Sequence, residues 1–225
     1  METGLWFTLL RLAEIDRQIG ISSVKLAGVL GLSQQTASRH LQELEKIGWI
    51  TREVSRKGQR IEITETGMNA LRTVYISLST IFEGHLAPFE IRGEVFEGMR
   101  EGAYYVSREG YFRQFKEKLG FEPYAGTLNI RIKTQDDLRA RKMLDLLPGI
   151  IIEGFANEGR SFGSVKCHRV TVNGKVEGAV ILIKRTHYGS DVLEIISPVF
   201  LRKELDLRDG DTVSLTVVAE KPEKK

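Results

Sequence analysis

The 225-residue sequence is poor in cysteine and lacks the long apolar runs of membrane proteins. Its single cysteine, Cys167, cannot form an intrachain disulfide or a cysteine metal cluster, which is typical of a reducing cytosol. No apolar run approaches the roughly 18 residues that a membrane helix needs, so we expect no membrane contact. The amino terminus, METGLWFTLLRLAEIDRQ, carries acids early and predicts an amphipathic helix, not an export signal. We therefore expect a cytoplasmic protein.

The sequence also lacks a strong excess of charge and a P-loop. The net charge of +3 excludes a polycation, so any contact with nucleic acid needs a local basic patch. No GxxxxGK[ST] string occurs, which excludes an ordinary P-loop nucleotide site. The hydrophobic content of 41% and the length suit a globular chain of one large or two modest domains.

The amino-terminal third predicts three short amphipathic helices, the third of which has a polar face. Ser33 can cap this third helix, in which Ala37, Leu41 and Leu44 repeat at helical spacing. Two strands joined by a basic turn follow, and then a fourth helix that ends near Phe82. Three helices, a hairpin and a further helix form the order typical of a winged helix-turn-helix.

The string QTASRHLQELEKIGWI, in this order of elements, resembles the winged helix-turn-helix family of transcriptional regulators over Thr3 to Phe82. The resemblance implies double-stranded DNA as a partner, with the third helix in the major groove and the wing near phosphates or the minor groove. Residues 1–88 hold ten Lys and Arg against nine Asp and Glu, so a protein-interaction or dimerisation module is the alternative. The implied DNA contacts are Gln34, Gln35, Thr36, Ser38 and Arg39 on the helix, and Arg56, Lys57 and Arg60 on the wing.

A second domain is predicted to begin at Phe89, because the segment 84–88 interrupts the helical pattern. Short strands with glycine-containing turns dominate from there on, which favours a closed barrel. We therefore predict an α+β protein with a winged helix-turn-helix at residues 1–88 and a barrel domain at residues 89–225. The predicted elements of the second domain are helices at 109–119 and 135–146, a helical turn at 200–205, and strands at 91–96, 104–106, 130–132, 150–155, 164–172, 178–183, 192–196 and 212–218.

The stretch FEPYAGTLN (residues 121–129) places two polar side chains at the entrance of a strand. Pro123 prevents a helix from continuing through this stretch, and Gly126 permits a turn or a close backbone approach. Strand alternation then directs Thr127 and Asn129 to the same face. On local grounds the pair can simply satisfy hydrogen bonds of the turn and the strand end.

The second domain resembles the archaeal riboflavin kinases that use CTP as the phosphate donor. The resemblance is carried by GEVFEGMREGAYYVS, LGFEPYAGTLNIRI, EGRSFGSVK, IKRTHYGSDVLEIISPVFLR and LRDGDTV, in the family's order over Ile91 to Val218. It implies a small six-stranded barrel of the cradle-loop type. It also implies an enzyme that converts riboflavin and CTP to FMN and CDP.

The resemblance further implies the residues of the site. Thr127 and Asn129 match the magnesium ligands, and Asn129 and Glu194 are the implied catalytic residues. Because both metal ligands are neutral, we expect one Mg²⁺ ion to arrive with the nucleotide. Thr186 and Glu194 match the flavin contacts, with Glu194 orienting or deprotonating the ribityl hydroxyl. The implied nucleotide contacts are Met99, Arg100, Glu101, Gly102, Ala103 and Tyr104, with Val199, Phe200, Leu201 and Arg202 as a second segment.

The sequence leaves the roles of some residues undecided. Arg100 stands where the family usually has glycine, and it could add a phosphate contact or restrict the loop. Glu194 could be an outward-facing acid on an otherwise apolar strand, although burial in such a strand favours function. His187 and Tyr188 fit a loop surface as well as a ligand contact. The rival function is a flavin- or nucleotide-sensing transcriptional regulator without kinase activity, and the two roles can coexist.

Overall fold

The computed structural model describes residues 3–15, 23–55, 58–83, 86–99, 101–157, 159–183 and 188–218. The chain divides into two compact units, Met1–Leu78 and Ser79–Lys225. The assignment of residues 1–88 and 89–225 to separate domains stays a prediction. None of the helices in the described ranges has the length and apolar character needed to cross a bilayer.

The first unit has the predicted order of elements. The side chain of Ser33 accepts a hydrogen bond from the Thr36 N–H at 3.1 Å, which confirms it as the cap of the third helix. Buried apolar residues of the first three helices pack together with Trp49 and Ile50. The elements are α1 (Thr3–Glu14), α2 (Ser23–Leu30), α3 (Gln34–Lys46), β1 (Ile50–Ser55), β2 (Gly58–Ile63) and α4 (Glu65–Glu83).

The second unit contains a closed barrel of six antiparallel strands, as predicted. The strand order is β11-β3-β4-β10-β9-β8, and β8 pairs back with β11 to close the ring. A short further strand, β5 (Ile150–Ile152), pairs with the opposite end of β8. The barrel strands are β3 (Phe89–Phe96), β4 (Leu128–Arg131), β8 (Val165–Val172), β9 (Val176–Ile183), β10 (Val192–Ile196) and β11 (Thr212–Val217).

Alternation along the strands separates two apolar clusters. Ile130, Val180 and Leu193 belong to the cluster inside the barrel. Ala179 and Ile181, on the opposite face of β9, belong to a cluster on the outside. That outer cluster is covered by α5 (Gly102–Val106), by α6 (Glu109–Leu119) and by the hairpin of β6 (Phe155–Asn157) and β7 (Arg160–Phe162).

The structure corrects three details of the predicted secondary structure. Residues 104–106 are helical, because the Tyr105 N–H donates to the Glu101 carbonyl and the turn buries Val106. A short apolar run does not distinguish a strand from a helix, and here the packing decides. The predicted strand 150–155 ends at Ile152, and the β6–β7 hairpin was not predicted. The remaining two helices, α7 (Gln135–Leu146) and α8 (Leu201–Glu204), lie where helical structure was predicted.

Candidate active site

The pairing register of three strands brings the predicted polar residues together. Asn129 on β4 lies directly opposite Glu194 on β10, and on its other side opposite Phe96 on β3. The neighbours of Asn129 on its own strand, Leu128 and Ile130, point into the barrel, so Asn129 and Glu194 both face outward. This outward face is the one covered by α5 and α6. The two side chains are therefore adjacent in a partly enclosed space.

Thr127 joins this pair through its hydroxyl group. Its Oγ1 lies 3.5 Å from Asn129 Oδ1 and also forms a hydrogen bond with the Glu194 carboxylate. A hydroxyl group has one proton, so it can donate to only one of these acceptors at a time. Asn129 is 8% exposed, which makes it one of few buried polar residues in the described part of the barrel. The side chains of Thr127, Asn129 and Glu194 form a compact oxygen-rich group, here called the oxygen cluster.

The ionisation of Glu194 is shifted by this environment. Burial is the largest effect and raises the pKa of the Glu194 carboxyl group above its ordinary value of 4.5. The negative charge of Glu101 raises it further, whereas the hydrogen bond from Thr127 acts in the opposite direction. The carboxylate is thus a stronger proton acceptor than an exposed glutamate.

The loop after β3 presses against the oxygen cluster at two glycines. A Cβ atom at Gly98 would overlap the Asn129 amide group, and one at Gly102 would overlap the Thr127 hydroxyl group. Any larger residue at either position would displace the polar side chain beneath it. The glycines of the EGMREG string therefore allow backbone to approach Thr127 and Asn129 closely.

Tyr188 connects this loop to the segment that follows β9. Its hydroxyl oxygen accepts a hydrogen bond from the Met99 N–H at 2.9 Å, and its ring packs edge-on against Phe96 with centroids 5.8 Å apart. The local sequence did not distinguish Tyr188 from a surface residue. Its role depends on a contact between residues 89 positions apart, for which the sequence gives no signal.

A cavity of about 760 Å³, here called the larger cavity, opens beside the oxygen cluster. It lies between the outer face of the barrel and the layer of α5, α6 and β7. Its lining combines polar side chains with aromatic and apolar ones. Its lining residues are Met99, Glu101, Gly102, Tyr104, Tyr105, Val106, Tyr111, Phe115, Thr127, Asn129, Arg160, Ser161, Phe162, Gly163, Ser164, Val165, Ile181, Ile183, Tyr188 and Glu194.

Seven of the residues predicted for the site line the larger cavity, namely Met99, Glu101, Gly102, Tyr104, Thr127, Asn129 and Glu194. Ala103 is exposed on α5 and does not line it. Arg100 and Thr186 lie outside the described residues. The roles of all the residues predicted for the site, including those that line the cavity, stay predictions.

The second predicted nucleotide segment, residues 199–202, does not line the larger cavity. Val199 and Leu201 pack in the barrel interior, and the Phe200 ring stacks on Tyr124 with centroids 5.0 Å apart. Arg202 forms an ion pair with Asp209 at 2.7 Å. A nucleotide contact of this segment stays a prediction, and an Arg202–phosphate contact has to compete with Asp209.

The oxygen cluster suits a hard divalent cation. Magnesium prefers oxygen ligands, retains water and takes further ligands from substrate phosphates, and Thr127 Oγ1 and Asn129 Oδ1 are neutral oxygen donors. Across the described ranges, no group of three or more His, Cys, Asp or Glu is arranged to hold a metal ion. The donor set therefore fits a cation that is bound together with phosphate.

The predicted DNA-contacting face of α3 is accessible. Gln34, Gln35 and Arg39 are exposed, and Ser38 is half-buried. The opposite face of the helix carries the buried residues Ala37, His40, Leu41 and Leu44. On the wing, Arg60 is exposed and forms an ion pair with Glu62 at 2.6 Å, while Arg56 and Lys57 lie outside the described residues.

Comparison with known proteins gives two family matches. The family model CTP-dep_RFKase, described as domain of unknown function DUF120, matches residues 95–217, and the MarR family model matches residues 8–61. Three proteins named riboflavin kinase are similar over most of their length. The one from Archaeoglobus fulgidus is 49% identical over 89% of this chain and 84% of its own. The one from Methanocella arvoryzae is 44% identical over 93% of this chain and 96% of its own. The one from Thermoplasma volcanium is 49% identical over 88% of this chain and 89% of its own.

The shifted pKa of Glu194 predicts how the stability of the protein depends on pH. Because its pKa is raised on folding, the ionised form disfavours the folded state, and this penalty grows as the pH rises above 4.5. The Glu194→Gln variant should therefore melt at a higher temperature than the wild type at pH 7. The difference in melting temperature between this variant and the wild type should become smaller as the pH falls toward 4.5. Thermal melts at several pH values measure this, with Glu177→Gln, at an exposed position of β9, as the control. A Glu194→Gln variant that is less stable at pH 7 would contradict the prediction.

Proposed function

Because the chain belongs to the CTP-dependent riboflavin kinase family, we propose that it transfers the γ-phosphoryl group of CTP to the ribityl 5′-hydroxyl of riboflavin. The products are FMN and CDP. The observation that carries the proposal is the convergence of the glycine loop, the neutral oxygen pair and Glu194 on one cavity. Phosphoryl transfer needs positioned groups and charge neutralisation more than covalent chemistry, and this cavity offers such groups.

Thr127 and Asn129 are proposed to hold one Mg²⁺ ion together with the nucleotide. When bound, this ion supplies positive charge that offsets the charge of the phosphate oxygens. Thr127 and Asn129 sit under the loop that carries Met99, Glu101 and Gly102. The backbone N–H groups of such a loop can donate hydrogen bonds to phosphate oxygens.

Glu194 is proposed to act as the proton acceptor. As the ribityl oxygen forms its bond to the γ-phosphorus, its proton passes to the Glu194 carboxylate, and the bond to CDP breaks. The raised pKa of Glu194 suits this role, because a base works best when its pKa lies nearer to the operating pH. The hydrogen bond with Thr127 orients the carboxylate within the cluster.

The preference for CTP rests on membership of the family. The decisive experiment incubates the purified chain with riboflavin and Mg²⁺ and with either CTP or ATP, and measures FMN by chromatography. We expect rapid FMN formation with CTP, little with ATP, and none when EDTA removes the metal ion. FMN formed equally from both nucleotides would overturn the nucleotide preference. No FMN with any nucleotide would overturn the kinase and favour a flavin- or nucleotide-sensing regulator.

Asn129→Ala should reduce kcat by about 100-fold or more, because it removes a ligand that positions the phosphate-bound cation. The same substitution should leave the melting temperature close to that of the wild type and should spare DNA binding. Initial rates of FMN formation measure the effect. Asn157→Ala is the matched control, since Asn157 is exposed on β6 and does not line the larger cavity. Equal rates for Asn129→Ala and the wild type would show that Asn129 has no part in catalysis.

A second role in transcriptional regulation is proposed for the amino-terminal unit. It is supported by the MarR family match and by the exposed polar face of α3. Docking of such a helix in the major groove would let Gln34, Gln35 and Arg39 contact base edges. FMN made by the carboxy-terminal unit could then tune DNA binding by the same chain.

The predicted cytoplasmic location stays a prediction.

Arg39→Ala should weaken binding to a selected double-stranded DNA site by about tenfold, the usual effect of losing one good base contact. FMN formation should be unchanged, because Arg39 lies outside the larger cavity. DNA sites selected from a random pool and gel-shift titrations provide the measurement. Arg113→Ala, which removes an exposed arginine of α6, is the control. If the wild type selects no DNA, the protein-interaction or dimerisation alternative is favoured.

A further inference from the structure

Among the described residues that line the larger cavity, two are acidic and one is basic. Glu101 and Glu194 are the acidic residues, and Arg160 is the basic one. A magnesium complex of a nucleoside triphosphate keeps a net negative charge, so carboxylates in the same cavity repel it. Phosphoryl transfer is catalysed mainly by groups that offset the charge of the phosphate oxygens. The cavity therefore needs a cationic group from the protein, and Arg160 can supply it.

Arg160 has unused hydrogen-bonding capacity. A guanidinium group has five N–H donors, and Arg160 Nη1 lies 3.5 Å from the Tyr104 hydroxyl oxygen. Within the part of the chain that the structure describes, no acidic residue forms an ion pair with Arg160. Arg202, by contrast, is paired with Asp209 at 2.7 Å. Because arginine can bind phosphate through two parallel hydrogen bonds, Arg160 can do so without first losing an ion pair.

Tyr104 connects Arg160 to the oxygen cluster. The guanidinium carbon of Arg108 lies 3.7 Å from the centroid of the Tyr104 ring, a cation–π contact that holds the ring in place. The hydroxyl group at the end of this ring faces Arg160. Tyr104 lies on α5 two residues after Gly102, and the Gly102 backbone packs against the Thr127 side chain. Helix α5 therefore fixes the position of Arg160 relative to the proposed metal ligands.

The β6–β7 hairpin carries Arg160 next to its turn and is anchored at its other end. Phe155 and Phe162 pair across the hairpin, and their rings stack with centroids 4.8 Å apart. The Tyr111 hydroxyl donates a hydrogen bond to the Gly163 carbonyl at 2.6 Å, which joins this end to α6. Arg160 is exposed and lines the larger cavity. The hairpin thus presents a charged side chain to the cavity from an anchored base.

We propose that Arg160 binds the phosphate chain of CTP and offsets its charge during transfer, and that Tyr104 positions Arg160 for this role. This inference rests on the proposed kinase function. It adds a catalytic residue outside the two segments for which the family resemblance implies nucleotide contacts. As the bond between the γ-phosphorus and the CDP oxygen breaks, negative charge grows on that oxygen. An arginine beside the phosphate chain stabilises this charge and lowers the barrier.

Arg160→Gln should lower kcat/KM for CTP about 100-fold, because it removes the positive charge. It should raise the Kd for CTP with Mg²⁺, measured by calorimetry, about tenfold, which is a loss of ~1.4 kcal/mol. The KM for riboflavin and the melting temperature should stay close to those of the wild type, since Arg160 is exposed. Arg160→Lys keeps the charge but not the two parallel hydrogen bonds, so it should lose only about tenfold in kcat/KM. Arg139→Gln, at an exposed position of α7 outside the larger cavity, is the control.

Tyr104→Phe separates a positioning role from a direct contact with the nucleotide. In the wild-type background, loss of the hydroxyl group should lower kcat/KM for CTP about fivefold, an effect typical of one lost hydrogen bond. In the Arg160→Gln background it should have no further effect, because the side chain that it positions is absent. Effects that add in the double variant would show that Tyr104 acts independently of Arg160 and would overturn its positioning role.

The proposal is overturned if Arg160→Gln stays within about threefold of the wild type in both kcat/KM and Kd for CTP. Equal losses for Arg160→Gln and Arg160→Lys would also overturn it, because the effect would then not depend on charge. Nucleotide binding needs no turnover, so the Kd values test Arg160 separately from the reaction. Failure of the kinase proposal is a different result, namely absence of FMN from the wild-type protein.

Discussion

The site depends on the antiparallel register that places Asn129 opposite Glu194. Side chains alternate between the two faces of a strand, so a shift of either strand by one residue would turn its polar side chain into the barrel interior. The register is fixed by the inward-facing neighbours Leu128, Ile130, Leu193 and Ile195, which form part of the barrel core. Core packing thus positions the polar pair, although none of the core side chains touches a substrate in the proposed reaction.

Backbone proximity is the second constraint on the site. Gly98 and Gly102 bring the loop after β3 onto Asn129 and Thr127, and Tyr188 holds the same loop through a hydrogen bond with the Met99 N–H. A chain without a P-loop can in this way still offer backbone donors beside neutral oxygen ligands. The arrangement needs small residues at two positions and one long-range hydrogen bond.

The sequence predicted those parts of the fold and site that depend on local patterns. Helices α6 and α7 and strand β10 have the bounds that their apolar spacing indicated, and alternation placed Thr127 and Asn129 together. The helical turn at Tyr104 and the Met99–Tyr188 contact could not be predicted from local patterns. Each of these results from packing between segments far apart in the chain, where local spacing carries no information.

The position of Glu194 helps to decide whether the oxygen cluster has a structural or a catalytic role. Its strand is otherwise apolar, and its carboxyl group is desolvated and close to the charge of Glu101. Such a group costs stability at neutral pH, so a strand selected only for stability would carry an apolar or neutral residue there. The residue instead lines the larger cavity, beside two neutral oxygen donors. The proton transfer proposed for Glu194 gives this destabilising acid a chemical role, which the fold alone does not require.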